Sequence, residues 1–355
     1  ATLVYEPADR SRDIESQRYF FTAPLGPIDA DDLRWYLEQF YLWPTGVFVE
    51  RARAIEEKLP QWGQELFRAA ASHDPPQTAL NTWMQTGEQA EQRFSIEVDS
   101  DVIEDPSQPN EEKQAAKAEA GEAASQLLSL PWELLHDGRG FLFHGANPVR
   151  VRRRLPNRYA QKSRPTGLPI RILLLSPRPE EEGIGWIDHR ISARPLVEAI
   201  EALGELATLT TLNPPTFPAL VEELQRAGEA NQQYDVIHFD GHGVYDRRVG
   251  LGGLCFEDPR DSEKPTRRAM QLIYAEKLAE VIRDHRIPLV FLEACQSAKT
   301  EENPTASVAA RLLQEGVTSV VAMSHSVLVE TARRFVAAFY RSLAEGKRVG
   351  AAMLA

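Results

Sequence analysis

Two cysteines occur in this chain of 355 residues, and one of them, Cys295, closes an apolar run. Leu289, Val290, Phe291 and Leu292 predict a short strand buried on both faces. The run passes through Glu293 and Ala294 to Cys295, with polar Gln296 and Ser297 beyond. Residues 234–243 have the same design, an apolar strand that ends in Asp240, Gly241, His242 and Gly243. Carboxyl ends of buried parallel strands are where open α/β sheets bind ligands. If the two strands are parallel neighbours, His242 and Cys295 emerge side by side. A base near a thiol raises its thiolate fraction, which is the chemistry of a cysteine protease. A free cysteine taken alone is more often a small buried hydrophobe. The pairing of the two residues at strand ends favours chemistry, as do Gly241 and Gly243, which let backbone approach a substrate without a Cβ in the way.

A strand ending in His-Gly, then a later strand ending in Glu293-Ala294-Cys295-Gln296, resembles the signature of the caspase-like cysteine peptidases. The stretches LPWELLHDGRGFLFHGANPVRVRR and SVVAMSHSVLVETARRFVAAFYRSLAEG narrow the resemblance to the CHAT family, caspase-like (clan CD) domains of bacteria. It runs from about Leu130 to the end of the chain. The resemblance implies a dyad of His242 as general acid/base and Cys295 as nucleophile, working through an acyl-enzyme. It also implies an oxyanion hole at the backbone N–H groups of Gly243 and Cys295. No cofactor and no metal are implied. The implied partners are a protein substrate, in a bacterial defence or cell-death pathway, and regulatory or sensor domains C-terminal to this fragment.

In such enzymes the residue two before the nucleophile lines the primary specificity pocket. Here it is Glu293, with Asp240 grouped beside it as a second substrate-binding carboxylate. A carboxylate there would pair with a substrate cation, so cleavage after Arg or Lys is expected. Arg178, Arg190 and Arg194 follow the first core strand, where caspases supply the arginine that selects Asp, and one of them could instead neutralise Glu293. With a basic preference, the Arg152–Arg154 run becomes a candidate for self-cleavage. The alternative function is a catalytically inactive caspase-like binding or assembly module regulated by attached domains. A nucleotide-binding α/β protein would need a phosphate loop, and no GxxxxGK[ST] stretch occurs. A metal role for Cys295, His242 and His238 fits by ligand type but lacks a flanking carboxylate pattern.

Composition narrows the class further. A hydrophobic fraction of 43% with 26% charged residues is ordinary for a globular protein. No apolar run approaches a membrane span, and the N-terminus has no signal-peptide pattern, so no membrane partner is expected. Two cysteines cannot make a disulfide framework, which makes a reducing cytoplasm the default location. A net charge of −12 argues against direct nucleic-acid binding.

The elements that must position the dyad alternate regularly from Pro169 onward. IRILLLSP, LATLTTL, the two strands above and TSVVAMS predict strands, with helices between them and a long amphipathic helix near residues 327–345. This is an α/β fold, a three-layer αβα caspase-like sandwich with a mostly parallel sheet, over residues 169–355. Gly250, Gly252 and Gly253 lack the strand–helix context of a dinucleotide fingerprint and predict a hairpin containing a buried Cys255. An N-terminal α/β subdomain is expected over residues 1–155, as a degenerate caspase-like half by analogy with separase-type proteases. Within it, TLVYE, YFFTA and FSIEV predict strands. Helices are expected near residues 30–43, 48–58, 61–71 and 114–128. FLFHGANPVRVRR predicts a strand or hairpin, with His144-Gly145 as a weak second-site candidate. The basic stretch from Arg150 to Arg164, with Pro156 and Pro165 in it, predicts an exposed linker at 156–168. VGAAMLA at the end resembles the start of another helix, as if a longer protein were cut there.

Overall fold

Helically spaced apolar residues organise the first half of the chain, and runs buried on both faces organise the second. The computed structural model describes residues 2–5, 14–17, 19, 21–71, 77–78, 82, 93–98, 109–144, 148–154, 164–181, 187–188, 193–246, 251–264, 266–295, 304–323 and 329–354. The chain divides near Pro156 into two units.

The first unit holds β1 (Thr2–Tyr5), β2 (Ile14–Glu15), α1 (Pro27–Glu38), α2 (Val47–Ala71), β3 (Arg93–Glu97), α3 (Asn110–Ser129) and β4 (Arg150–Arg154). Its sheet runs β2-β1-β3-β4; β1 is antiparallel to β2 and β3, and β3 is parallel to β4. The break expected between residues 58 and 61 does not occur, and α2 runs straight through Pro60. Ala52, Ile55, Trp62, Leu66 and Ala70 form one continuous buried stripe, with Leu59 packed on the same cluster. That shared packing outweighs the one hydrogen bond a proline cannot donate. The helix expected near residues 30–43 ends at Glu38; Leu33 on it is buried, whereas Leu37 is 40% exposed and Leu42, beyond its end, 55%.

YFFTA is irregular rather than a strand at its described positions. It is fastened by side chains instead: the Tyr19 hydroxyl donates to the Ala70 carbonyl (2.9 Å), and the Phe21 ring lies 5.4 Å from Trp132. In FLFHG only Phe141 makes a strand-like bridge, to His136. Leu142 and Phe143 lie in a turn, so no strand leads into His144, while Gly145 lies outside the described residues.

Arg150–Arg154 is a strand and not the beginning of a linker. Arg153 donates to the carbonyls of Leu128 (2.6 Å) and Leu130 (2.9 Å) at the end of α3 and pairs with Glu133. A cation on the last carbonyls of a helix also complements its dipole. Cleavage favours exposed loops, whereas Arg152–Arg154 is matched in a ladder with Ser95–Glu97; self-cleavage there is set aside. Residues 155–163 of the expected linker lie outside the described residues.

The second unit contains β5 (Ile170–Leu175), α4 (Ala193–Glu201), β6 (Ala207–Thr211), α5 (Phe217–Glu229), β7 (Val236–Asp246), β8 (Leu251–Glu257), β9 (Met270–Tyr274), α6 (Ala275–Asp284), β10 (Leu289–Cys295), α7 (Pro304–Gln314), β11 (Val320–Ala322) and α8 (Val329–Ala344). A parallel sheet runs in the order β11-β10-β7-β5-β6. Leu173, Ile237, Phe239, Val290 and Leu292 share a core with α5, α6 and α7. Ile172, Leu174, Val236, Leu289 and Phe291 share another with α4 and α8. This is the expected three-layer sandwich. Before β5, Arg164 donates to the Asp235 carboxylate (2.7 Å) and the Tyr234 carbonyl (3.0 Å), fastening that segment at the amino end of β7.

Two features depart from the sequence pattern. β7 does not stop at Gly243 but runs on to Asp246, its last four residues pairing antiparallel with β8. β9, whose only buried residue is Ile273, was not anticipated because its short apolar run merges into α6. The extension forms because Leu254, Phe256 and Ile273 join the core under α5 and α6, with Phe256 edge-on to Phe217 at 5.8 Å. Gly253 permits the β8–β9 approach, since a Cβ there would lie 2.8 Å from the Ile273 carbonyl oxygen. Gly253→Ala is therefore expected to destabilise the protein by about 1–3 kcal/mol, measured as a lower urea midpoint with an unchanged slope.

Candidate active site

Strand ends converge where the strand order reverses. From β5 the chain moves out to β6, returns to β7 on the other side of β5, and continues to β10 and β11. The crevice outside the carboxyl ends of strands at such a reversal is the binding position of open α/β sheets. β7 and β10 are matched residue for residue from Val236↔Leu289 to His242↔Cys295. Adjacent strands lie about 4.8 Å apart, so Cys295 and His242 are backbone neighbours at this edge, the adjacency their two strand ends imply. Gly241, between Asp240 and His242, has no room for a side chain: a Cβ would lie 2.9 Å from the Phe239 ring and 3.3 Å from Pro177.

Alternation puts Val236, His238, Asp240 and His242 on one face of β7, the face whose core includes α4 and α8. Along it the environment changes row by row. Val236 is matched with Leu289 in an apolar row, His238 with Phe291, Asp240 with Glu293, and His242 with Cys295. His238 is fully buried and stacks on Phe291 with ring centroids 4.6 Å apart. Its Nδ1 lies 2.8 Å from the Tyr340 hydroxyl of α8 and its Nε2 lies 3.1 Å from Glu293 Oε2. Both ring nitrogens are thus engaged by protein groups, which leaves His238 no lone pair for a metal.

The two carboxylates of the next row have different surroundings. Asp240 is buried; its Oδ2 accepts from the Ser176 hydroxyl (3.0 Å) and from the Arg178 guanidinium. Arg178 also donates to the Asp240 carbonyl (2.6 Å) and, through its backbone N–H, to Glu257 (3.0 Å). Glu257 is itself buried and paired with Arg268. Asp240 therefore ties the end of β5 to β7. Glu293 keeps 13% side-chain exposure, and among the described residues its Oε1 has no hydrogen-bond partner. Of the three arginines following β5, Arg178 serves Asp240 and Arg194 pairs with Glu198 (2.8 Å) on α4. Arg190 lies outside the described residues.

Sequence pattern alone did not single out Ser176, Glu257 or Tyr340. Their only signal is polarity at an apolar boundary: Ser176 just past β5, Glu257 at the end of β8, and a hydroxyl among Val336, Phe339 and Tyr340 on α8. Cys255 has the expected structural character. It is fully buried, and burial, with a smaller contribution from the Glu181 charge, pushes its thiol up to about 12.

A parallel α/β sandwich with this switch-point edge has the caspase-like architecture. The family model described as the CHAT domain matches residues 122–354, about two thirds of the chain. The chain belongs to the CHAT domain family. None of the curated proteins matches it.

Two measurements test these assignments. Arg178→Met would leave Asp240 buried without its counter-charge, at an expected cost of about 3 kcal/mol in urea unfolding. Adding Asp240→Asn should recover part of that loss, and the double-mutant cycle should show a coupling of about 1 kcal/mol or more. In the native protein at pH 8, iodoacetamide should leave Cys255 unmodified in a peptide map and reach it only after denaturation. Because the folded Cys255 pKa is raised above the free-thiol value, the stability it contributes is present below about 9 and lost as pH rises toward about 12.

Proposed function

We propose that this chain is a cysteine endopeptidase that cleaves a partner protein, with Cys295 as nucleophile and His242 as general acid/base. The observation that carries this reading is the matched pair His242↔Cys295 at the carboxyl edge of two parallel strands, beside the reversal of strand order. In the proposed acylation, the Cys295 thiol gives its proton to His242 and the resulting thiolate attacks the peptide carbonyl carbon. The carbonyl electron pair moves to its oxygen, which the backbone N–H groups of Gly243 and Cys295 receive. Collapse of that intermediate expels the amine, to which His242 delivers a proton. Water, deprotonated by His242, then attacks the thioester and releases the acid and the free thiol.

We further propose cleavage after Arg or Lys, with Glu293 as the carboxylate that meets the substrate cation. The 13% side-chain exposure of Glu293 supports this, as does the commitment of Arg178 to Asp240 and of Arg194 to Glu198 rather than to Glu293. The first unit, whose sequence contains no cysteine, is read as the non-catalytic subdomain. The substrate protein is placed in a bacterial defence or cell-death pathway under control of attached regulatory domains.

The test is labelling with peptidyl acyloxymethyl ketones carrying Arg or Asp at the scissile position. The Arg probe should modify Cys295, Cys295→Ala should abolish labelling, and His242→Ala should slow it by roughly 10²–10⁴-fold. Labelling by the Asp probe alone would overturn the basic preference. Labelling that survives in Cys295→Ala, or none by either probe, would overturn the peptidase and favour an inactive assembly module.

A further inference from the structure

Glu293 does not stand alone at the end of β10. Its Oε2 lies 3.1 Å from His238 Nε2, and His238 Nδ1 lies 2.8 Å from the Tyr340 hydroxyl. Both partners are fully buried, His238 clamped against Phe291 and Tyr340 within 6.1 Å of the same Phe291 ring. The proton positions follow from the donor and acceptor inventory. The Glu293 carboxylate oxygen accepts, so Nε2 donates to Oε2, and the Tyr340 hydroxyl engages Nδ1. Both polar atoms of the buried ring are thereby satisfied. The pKa of Tyr340 is raised well above its usual range, chiefly by burial and further by the Glu293 charge, which keeps the hydroxyl protonated as a donor.

A carboxylate two residues before Cys295 is therefore held by one oxygen, while the other has no hydrogen-bond partner among the described residues. Were Glu293 a structural residue only, its second oxygen would be expected to find a partner, as the Asp240 carboxylate does on Arg178 and Ser176. We infer that His238 is a positioning residue for substrate selection: the Tyr340–His238 chain holds Glu293 by Oε2 so that Oε1 is presented, pre-oriented, to the cation of an Arg or Lys side chain. This rests on the proposed basic preference. Holding one oxygen removes side-chain freedom that a substrate would otherwise have to freeze out, and it sets the angle at which a guanidinium meets the remaining oxygen.

The experiment uses the full chain and compares second-order labelling rates of Cys295 by an arginine acyloxymethyl ketone and by its citrulline counterpart, which has the same shape without the charge. In the wild type the arginine probe is preferred. His238→Phe should lower that preference by about tenfold, the worth of one charge-assisted hydrogen bond. The loss should fall on the arginine rate, because a general loss of folded protein would slow both probes alike. His238→Gln, whose side-chain N–H can still reach Oε2, should recover most of the preference, and Tyr340→Phe should lower it by about two- to threefold. If Glu293→Gln abolishes the preference while His238→Phe and Tyr340→Phe keep the wild-type ratio, the inference fails and the pocket carboxylate stands. If Glu293→Gln keeps the ratio, or the wild type takes neither probe, the basic preference itself fails and the inference falls with it. Should His238→Phe not fold, Tyr340→Phe decides: an unchanged ratio overturns the positioning role.

Discussion

Everything at the candidate site depends on the register between β7 and β10. Apolar alternation alone sets register poorly in a strand buried on both faces, because either face accepts hydrophobic side chains. Val290 and Leu292 serve one core and Leu289 and Phe291 the other, so a slip by one residue would still bury hydrocarbon. The polar rows remove that ambiguity. A slip would part His238 from Phe291 and Glu293, leaving buried polar groups unpaired at about 1–3 kcal/mol each. The same contacts that place Glu293 thus fix which residue of β10 stands opposite His242.

The row beneath the dyad shows how two acids a strand apart acquire different properties. Asp240 is almost entirely buried, and its charge is offset by a guanidinium that is itself anchored by Glu257 through the backbone. Removing any one member would expose the cost of burying the others. Glu293 instead shares a hydrogen bond with an imidazole and keeps contact with solvent. The first arrangement suits a brace between β5 and β7, the second a group that can still form an interaction. Identical chemistry at neighbouring positions is sorted by what lies beside it: the end of β5 for Asp240, an imidazole for Glu293.

Much of this was legible in the sequence, and for a physical reason. Runs such as IRILLL and LVFL leave a parallel sheet as the natural fold, because only such strands are apolar on both sides and separated by amphipathic helices. The adjacency of His242 and Cys295 followed from two strand ends of like design. What was hidden depends on groups distant in sequence. Tyr340 meets His238 across 102 positions and Arg178 meets Asp240 across 62, and no local pattern encodes such pairs. The long α2 and the helix-capping role of Arg153 were misread for a related reason. A proline and a run of arginines are strong local signals for a break and a linker, and both are overridden by burial of Ile55, Trp62 and Leu66 and by the carbonyls at the end of α3.

The extension of β7 past His242 bears on how rigid such an edge can be. A strand that ended at the histidine would leave it on a free loop, where a side chain gains entropy and loses precision. Here the backbone beyond His242 is captured at once by β8, whose Leu254 and Phe256 are buried in the same core as Phe239. His242 is consequently held from both sides, by the parallel ladder before it and the antiparallel one after it. Gly241, pressed against Phe239 and Pro177, completes the constraint from below. On the β10 side the ladder with β7 reaches as far as Cys295. A residue held by two ladders keeps its backbone position at the strand edge, which is what a pre-organised site at such an edge requires.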